Sequence, residues 1–229
     1  MIPKILFQIS KVKQPEYIVN MIKQQLPFDW VYCNYIDGDE VNYFINNPLA
    51  EFPDIIKKFR SIKLGQHRAD LFRYYLLYLN GGVYIDSDAM IYTNIENIIK
   101  EFDFISVKSI IPETIFNGFI ATTQTHDIMF KALVDAYNVK QSDLDNKYLT
   151  LCKNLYDIIY KSDMTNVKLY YEKETQEYGT IATIDDNNII LKHYQLTKTI
   201  PLTNNNTNNN TNNNTHNNTK YSKKIKLFF

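Results

Sequence analysis

Apolar and polar positions along residues 1–200 fall into blocks that alternate between the spacing of a strand and that of a helix. Ile2–Ile9 is a short apolar run ending at Ser10 and reads as a buried first strand. Pro15 opens a helix running to about Gln25, because proline suits the first helical turn. Asp29–Ile36 alternates and is rich in aromatics, giving a second strand, and Asp39–Asn46 and Asp54–Phe59 read as short helices. The clearest helix covers Gln66–Leu79 and is stopped by Asn80-Gly81-Gly82. Val83–Ile85 follows as a strand and runs directly into Asp86-Ser87-Asp88. Further helices are expected near Ile95–Lys100, His126–Tyr137 and Leu144–Lys161. Further strands are expected near Phe102–Val107, Ile115–Thr122, Val167–Tyr171, Thr180–Ile184 and Ile189–Tyr194. Strands alternating with helices predict an α/β layered domain with a mostly parallel sheet, in which a ligand sits beyond the carboxyl ends of the strands.

The periodic pattern stops at about residue 200. From Thr203 to Thr219 the chain reads TNNNTNNNTNNNTHNNT, with nothing apolar to bury, so a disordered low-complexity tail is expected over 201–229 behind a catalytic body of 1–200. The N-x-T triplets at Asn205 and Asn209 are glycosylation acceptors in form, and without a secretory signal they read as composition. The final KYSKKIKLFF is basic and then apolar, which fits either a weak membrane or partner contact or a terminus packed on the body.

Composition narrows the classes. Lys+Arg and Asp+Glu stand at 25 each, so no net positive charge points to nucleic acid. No apolar run reaches the roughly 18 residues of a membrane span, and MIPKILFQIS meets charge too early for a signal peptide. Cys33 and Cys152 have no metal-binding spacing and read as free thiols of a reducing compartment. A soluble cytoplasmic protein is the expectation.

Two places put charge where apolar residues dominate. Between Leu71 and Leu79 only Arg73 breaks the apolar run, and Asp70 lies three residues before it, on the same helical face. An internal ion pair accounts for these two, and so does a shared ligand. The second place is Asp86-x-Asp88, where strand alternation would put both carboxylates on one side. Two such groups repel unless a cation joins them, and hard oxygen ligands suit Mg²⁺ or Mn²⁺. An EF-hand is excluded, since Met90 and Ile91 stand where its loop needs Asn or Asp and then Gly.

The ordered set Arg68-Ala69-Asp70-Leu71-Phe72-Arg73-Tyr74, then Gly81-Gly82-Val83-Tyr84-Ile85-Asp86-Ser87-Asp88, resembles the central pattern of glycosyltransferase family 32, the DXD sugar transferases, a family that in turn resembles the glucosylating bacterial toxins. Ile2-Pro3-Lys4-Ile5-Leu6-Phe7-Gln8 is similar to its first strand, Asn117-Gly118-Phe119 to its asparagine-led strand, and His193 to its late histidine. The resemblance implies a single A-type glycosyltransferase domain, Rossmann-like, that moves a sugar from a UDP- or GDP-sugar to a glycan, lipid or protein hydroxyl, with retention. It implies Mn²⁺ or Mg²⁺ on Asp88 with help from Asp86, Asp86 at the ribose or donor sugar, and His193 completing the metal shell. Asp70 and Arg73 would hold the donor sugar, Tyr84 would line the pocket, and Asn117 would lie near the transferred sugar or acceptor. Gln8 and Phe7 would sit near the nucleotide base. A lone histidine at a strand end, an asparagine before a turn and an apolar first strand also have purely structural readings. The family's first-strand histidine is Phe7 here, and the tryptophan after its late histidine is absent.

Two other classes use similar residues. In a haloacid-dehalogenase-type phosphatase Asp86 would be the nucleophile and Asp88 the acid/base, with Asp185-Asp186 as the later acidic pair. An inactive nucleotide-sugar-binding module would keep the pocket without the reaction.

Overall fold

The computed structural model describes residues 1–175, 180–185 and 188–194. The expected tail, the basic-apolar terminus and Asp186 lie outside these residues. In chain order the elements are β1 (Ile5–Ser10), α1 (Glu16–Gln25), β2 (Val31–Ile36), α2 (Asp39–Asn46), α3 (Ile55–Ser61), α4 (Gly65–Asn80), β3 (Gly82–Ile85), β4 (Ala89–Ile91) and α5 (Ile95–Ile99). They continue with β5 (Phe104–Lys108), β6 (Ile115–Thr122), α6 (Asp127–Asn138), α7 (Gln141–Asn146), α8 (Thr150–Lys161), β7 (Val167–Glu174), β8 (Thr180–Asp185) and β9 (Asn188–Tyr194).

The strands form one mixed sheet in the order β2-β1-β3-β6-β5-β7-β8-β9-β4. The α/β layering is as expected, but parallel pairing is confined to β1 with β2 and β3 and to β5 with β7. The other described pairs are antiparallel. The reason is connectivity: short connections such as those of β5–β6 and β8–β9 return the chain beside itself, and only antiparallel pairing permits that.

Each face of the sheet has its own core, and the period of two sorts residues between them. Leu6, Val83, Ile85, Phe119 and Ala121 face the layer of α1 and α5, with Ile18, Ile22, Ile95 and Ile98. Phe7, Tyr84 and Ile120 face the opposite layer, where α4 packs with α6 and α8 behind it. Helix α4 is buried at His67 and continuously from Asp70 through Leu77, which explains its nearly continuous apolar run. It ends at Gly81, whose φ of +64° is in the left-handed region, and a Cβ there would lie 2.6 Å from the Gln124 backbone nitrogen.

Two expectations about elements are corrected. The single helix over Leu144–Lys161 is two, broken across Lys147-Tyr148-Leu149 with extended backbone at Lys147. Strand β4 was not expected, because three residues carry no period of their own. Its partner is β9, with Ala89 opposite His193. Since only Asp86-Ser87-Asp88 separates β3 from β4, the far edge of the sheet must curl back to β3. That curl carries His193 to the Asp86–Asp88 end.

Candidate active site

The strand alternation assumed for Asp86-Ser87-Asp88 is replaced by a β-turn, closed by the Ala89 N–H donating to the Asp86 carbonyl at 3.0 Å. The turn, not the pleat, brings the two carboxylates near each other. It is fixed from several sides. The Asp86 N–H donates to the Gly118 carbonyl at 2.9 Å. Gln8 Nε2 donates to the Asp86 carbonyl at 3.1 Å, and Tyr32 orients that amide by donating to Gln8 Oε1 at 2.7 Å. Gln14 Nε2 reaches the Ser87 carbonyl at 3.5 Å.

Arg73 is the centre of the site and is 5% exposed. Its Nη2 donates to Asp86 Oδ1 and to the Tyr84 hydroxyl, both at 3.0 Å. Its Nη1 donates to the Asn117 carbonyl and lies 3.2 Å from Asp70 Oδ1. The guanidinium carbon sits 4.0 Å from the centroid of the Tyr84 ring, a cation–π contact. Tyr84 completes a triangle by donating to Asp86 Oδ1 at 2.9 Å. Burial opposes charge on Arg73, but Tyr84, Asp86 and Asp70 around it outweigh burial and hold it protonated. Burial, and Asp86 beside it, push the Tyr84 phenol well up, so it stays a donor.

Behind this pair stands a second polar layer. Asn117 Nδ2 donates to the Tyr74 hydroxyl at 2.8 Å and to Asp70 Oδ1 at 3.3 Å. His67, fully buried, places Nδ1 at 3.6 Å from Asp70 Oδ2 and Nε2 at 3.2 Å from the Lys147 carbonyl. The carbonyl can only accept, so Nε2 carries hydrogen. Among the described residues His67 Nδ1, Arg73 Nε and Asn117 Oδ1 are buried without a hydrogen-bond partner. Three such atoms around Asp70 are unusual for a core and common at a ligand site.

The sequence-predicted residues thus divide by place. Asp70, Arg73, Tyr84, Asp86 and Asn117 form one network, with Asp88 one turn residue away. Gln8 is fully buried, and both its amide atoms are engaged in holding the turn. Phe7 is core, packed on the α4 layer. His193 stacks on Phe116 at 4.8 Å between ring centroids, with its Nδ1 3.9 Å from Glu172 Oε1. Burial pushes the His193 imidazole down, while Glu172 and Asp86 pull it back up. His67 received no role from the sequence, although its i, i+3 spacing to Asp70 repeats that of Asp70 to Arg73 and marks the same helix face.

The donor set for a divalent cation is small. Asp86 Oδ1 is held by Arg73 and Tyr84, which leaves Oδ2. The Asp88 carboxyl is pushed up to about 7, first by burial and then by Asp86. Partly buried carboxylates in mutual repulsion are what a cation would relieve. No group of three or more His, Cys, Asp or Glu side chains is arranged to hold a metal among the described residues. Two carboxylates with an open remainder suit an ion that keeps waters and binds phosphate oxygens, and do not suit an all-protein cage.

Gly118 admits this arrangement. A Cβ there would overlap Asp86 Oδ2 and the Phe116 ring. Gly118→Ala should therefore displace the carboxylate and destabilise the fold by about 1–3 kcal/mol. Thermal melts measure the loss, and an unshifted melting temperature would refute the packing argument.

Residues 8–105 match the family described as the glycosyltransferase sugar-binding region containing DXD motif. The match takes in Gln8, Asp70, Arg73, Tyr84, Asp86 and Asp88, and ends before Asn117 and His193. A solved structure titled "PaToxG Glycosyltransferase" is similar at 16% identity, with 70% of this chain and 69% of that chain covered and a TM-score of 0.48. No curated protein sequence matches the chain.

Proposed function

We propose that the protein is a metal-dependent hexosyltransferase of the family 32 type, moving a sugar from a UDP- or GDP-sugar to a hydroxyl acceptor with retention. The observation that carries this reading is the Asp70–Arg73–Asp86 ion-pair chain, which ends in the same turn as Asp88 and lies inside the sugar-binding region that the family match covers. Asp88, with Asp86 Oδ2, would hold Mn²⁺ or Mg²⁺, which when bound neutralises charge on the departing diphosphate. Arg73 and Tyr84 hold Asp86 through Oδ1, which leaves Oδ2, lying beside Gly118, for the cation. Asp70 and Asn117 offer acceptors and donors for sugar hydroxyls at the same wall, a positioning contribution. Gln8 acts through the turn as a positioning residue, and His193 acts through Phe116, whose ring borders Asp86. Retention is proposed, as the family resemblance implies, with the phosphate leaving group assisting on the same face.

The phosphatase reading is disfavoured at Asp86. A phosphoaspartate nucleophile needs its oxygen free, and Oδ1 is held by Arg73 and Tyr84. Asp185 pairs with Lys168 at 3.0 Å and stands at the β8–β9 turn, the end of β9 away from His193. The acceptor is proposed as a glycan, lipid or protein hydroxyl. A reducing, cytoplasmic setting suits the two free thiols, and no described helix is long and apolar enough to cross a membrane.

The test is a panel of UDP- and GDP-sugars incubated with the protein and Mn²⁺, following release of free sugar and its anomeric form. Hydrolysis of one donor that stops with chelator, giving the donor's own anomer, is expected. Phosphomonoester hydrolysis without donor hydrolysis would replace the reading with the phosphatase. Donor binding without turnover would replace it with the inactive module.

A further inference from the structure

The break between α7 and α8 presents an exposed aromatic beside the buried site. Tyr148, between Lys147 and Leu149, is 66% exposed. Its position is built. Three donors converge on the carbonyl of the preceding Lys147: the Thr150 N–H at 3.2 Å, the Thr150 hydroxyl at 2.9 Å and His67 Nε2 at 3.2 Å. The Thr150 hydroxyl also reaches the Asp143 carbonyl at 3.1 Å, tying the break to the preceding helix. His67 in turn touches Asp70, so the segment that holds Tyr148 is joined to the carboxylate wall through one buried imidazole. A helix running unbroken from 141 to 161 would need no such clamp, and a solvent loop would not use a fully buried histidine for it.

The Tyr148 ring also senses the site. Its phenol is pushed up first by partial burial and then by Asp70, Cys152, Asp86 and Asp88.

A sugar ring has hydroxyl edges and a face of C–H groups. Carboxylates, Asn and Arg take the edges, and an aromatic ring takes the face. Resting on the reading above, we propose that Tyr148, tied to Asp70 through the Lys147 carbonyl and His67, is the platform on which the donor's sugar ring stacks. His67 is then a positioning residue that sets the height of that platform through the Lys147 carbonyl.

The experiment measures binding of UDP-glucose, UDP-galactose, UDP-N-acetylglucosamine and GDP-mannose, and of UDP and GDP alone, to the full chain with Mn²⁺ by calorimetry. Tyr148→Ala should bind the preferred nucleotide-sugar about tenfold more weakly, as loss of one aromatic stack implies. Its affinity for the free nucleotide should be unchanged, and Tyr148→Phe should keep both. Because Tyr148 is exposed, the variants should fold, and an unshifted melting temperature checks this. Equal affinity of Tyr148→Ala and parent for the nucleotide-sugar overturns the platform and leaves the transferase reading intact. Equal loss for nucleotide and nucleotide-sugar also overturns it, since the contact would then be to the nucleotide. Failure of the parent protein to bind any of the sugars removes the transferase reading and the platform together.

Discussion

Asp88→Asn is expected to lower metal-dependent donor hydrolysis at least about a hundredfold, the scale on which one electrostatic contact to a developing charge acts. It is also expected to make the metal-free protein more stable at neutral pH. The sign follows from the direction in which the carboxyl is moved. Burial, and Asp86 beside it, raise the folded-state Asp88 carboxyl to about 7. The stability it contributes is therefore complete below about pH 4 and is lost as pH rises through about 7. A carboxyl moved from about 4 to about 7 costs at most about 4 kcal/mol once ionised. Asparagine is neutral throughout. The difference between variant and parent should thus be near zero at pH 4, grow with pH, and level off above 7. Mn²⁺ should reverse the order, because the variant has lost one of the two carboxylates proposed to hold it. Thermal melts from pH 4 to 8, with and without Mn²⁺, test all three statements. A variant that gains as much from Mn²⁺ as the parent would remove Asp88 from the metal site.

The elements that frame this site are those whose pattern is local. Helix α4 is legible because its apolar run and its Gly-Gly stop both lie within one stretch of chain, and β3 because it starts at that stop and ends in charge. Asp70 and Arg73 stood out by being charged on an apolar helix, and the structure joins them to Asp86 through contacts that the spacing of a strand and a helix could only suggest. What the sequence did not disclose depends on partners far along the chain. β4 exists because β9 pairs with it, and the curl of the sheet that brings His193 to the turn follows from that pairing. The break at Lys147 is made by His67, 80 residues earlier. The hold of Gln8 on the turn was hidden for a related reason. Its amide is engaged by Tyr32 and the Asp86 carbonyl, and neither contact leaves a trace in an apolar strand's composition.

Arg73→Met should have the largest effect on the fold itself. The methionine can fill much of the space beside Tyr84, but it leaves Asp70 and Asp86 without their shared cation. Asp70 is 7% exposed and can recruit little water in its place. Removing one partner of a buried ion pair costs about 3–5 kcal/mol. For a chain of this size that corresponds to a fall in melting temperature on the order of 10 °C. Donor hydrolysis, on the proposed reading, should fall as well, because Asp86 Oδ1 would lose its cation and keep only the Tyr84 hydroxyl to orient it. Arg73→Lys separates the two effects. A lysine restores one positive charge and should recover part of the stability. It has no planar fork, so it cannot donate at once to the Asn117 carbonyl, the Tyr84 hydroxyl and Asp86. Hydrolysis should therefore stay low in Arg73→Lys while its melting temperature rises above that of Arg73→Met. If lysine restores activity in proportion to stability, Arg73 serves only as a buried counter-charge. Recovery of stability without activity would instead identify the fork geometry as what orients the Asp86 carboxylate.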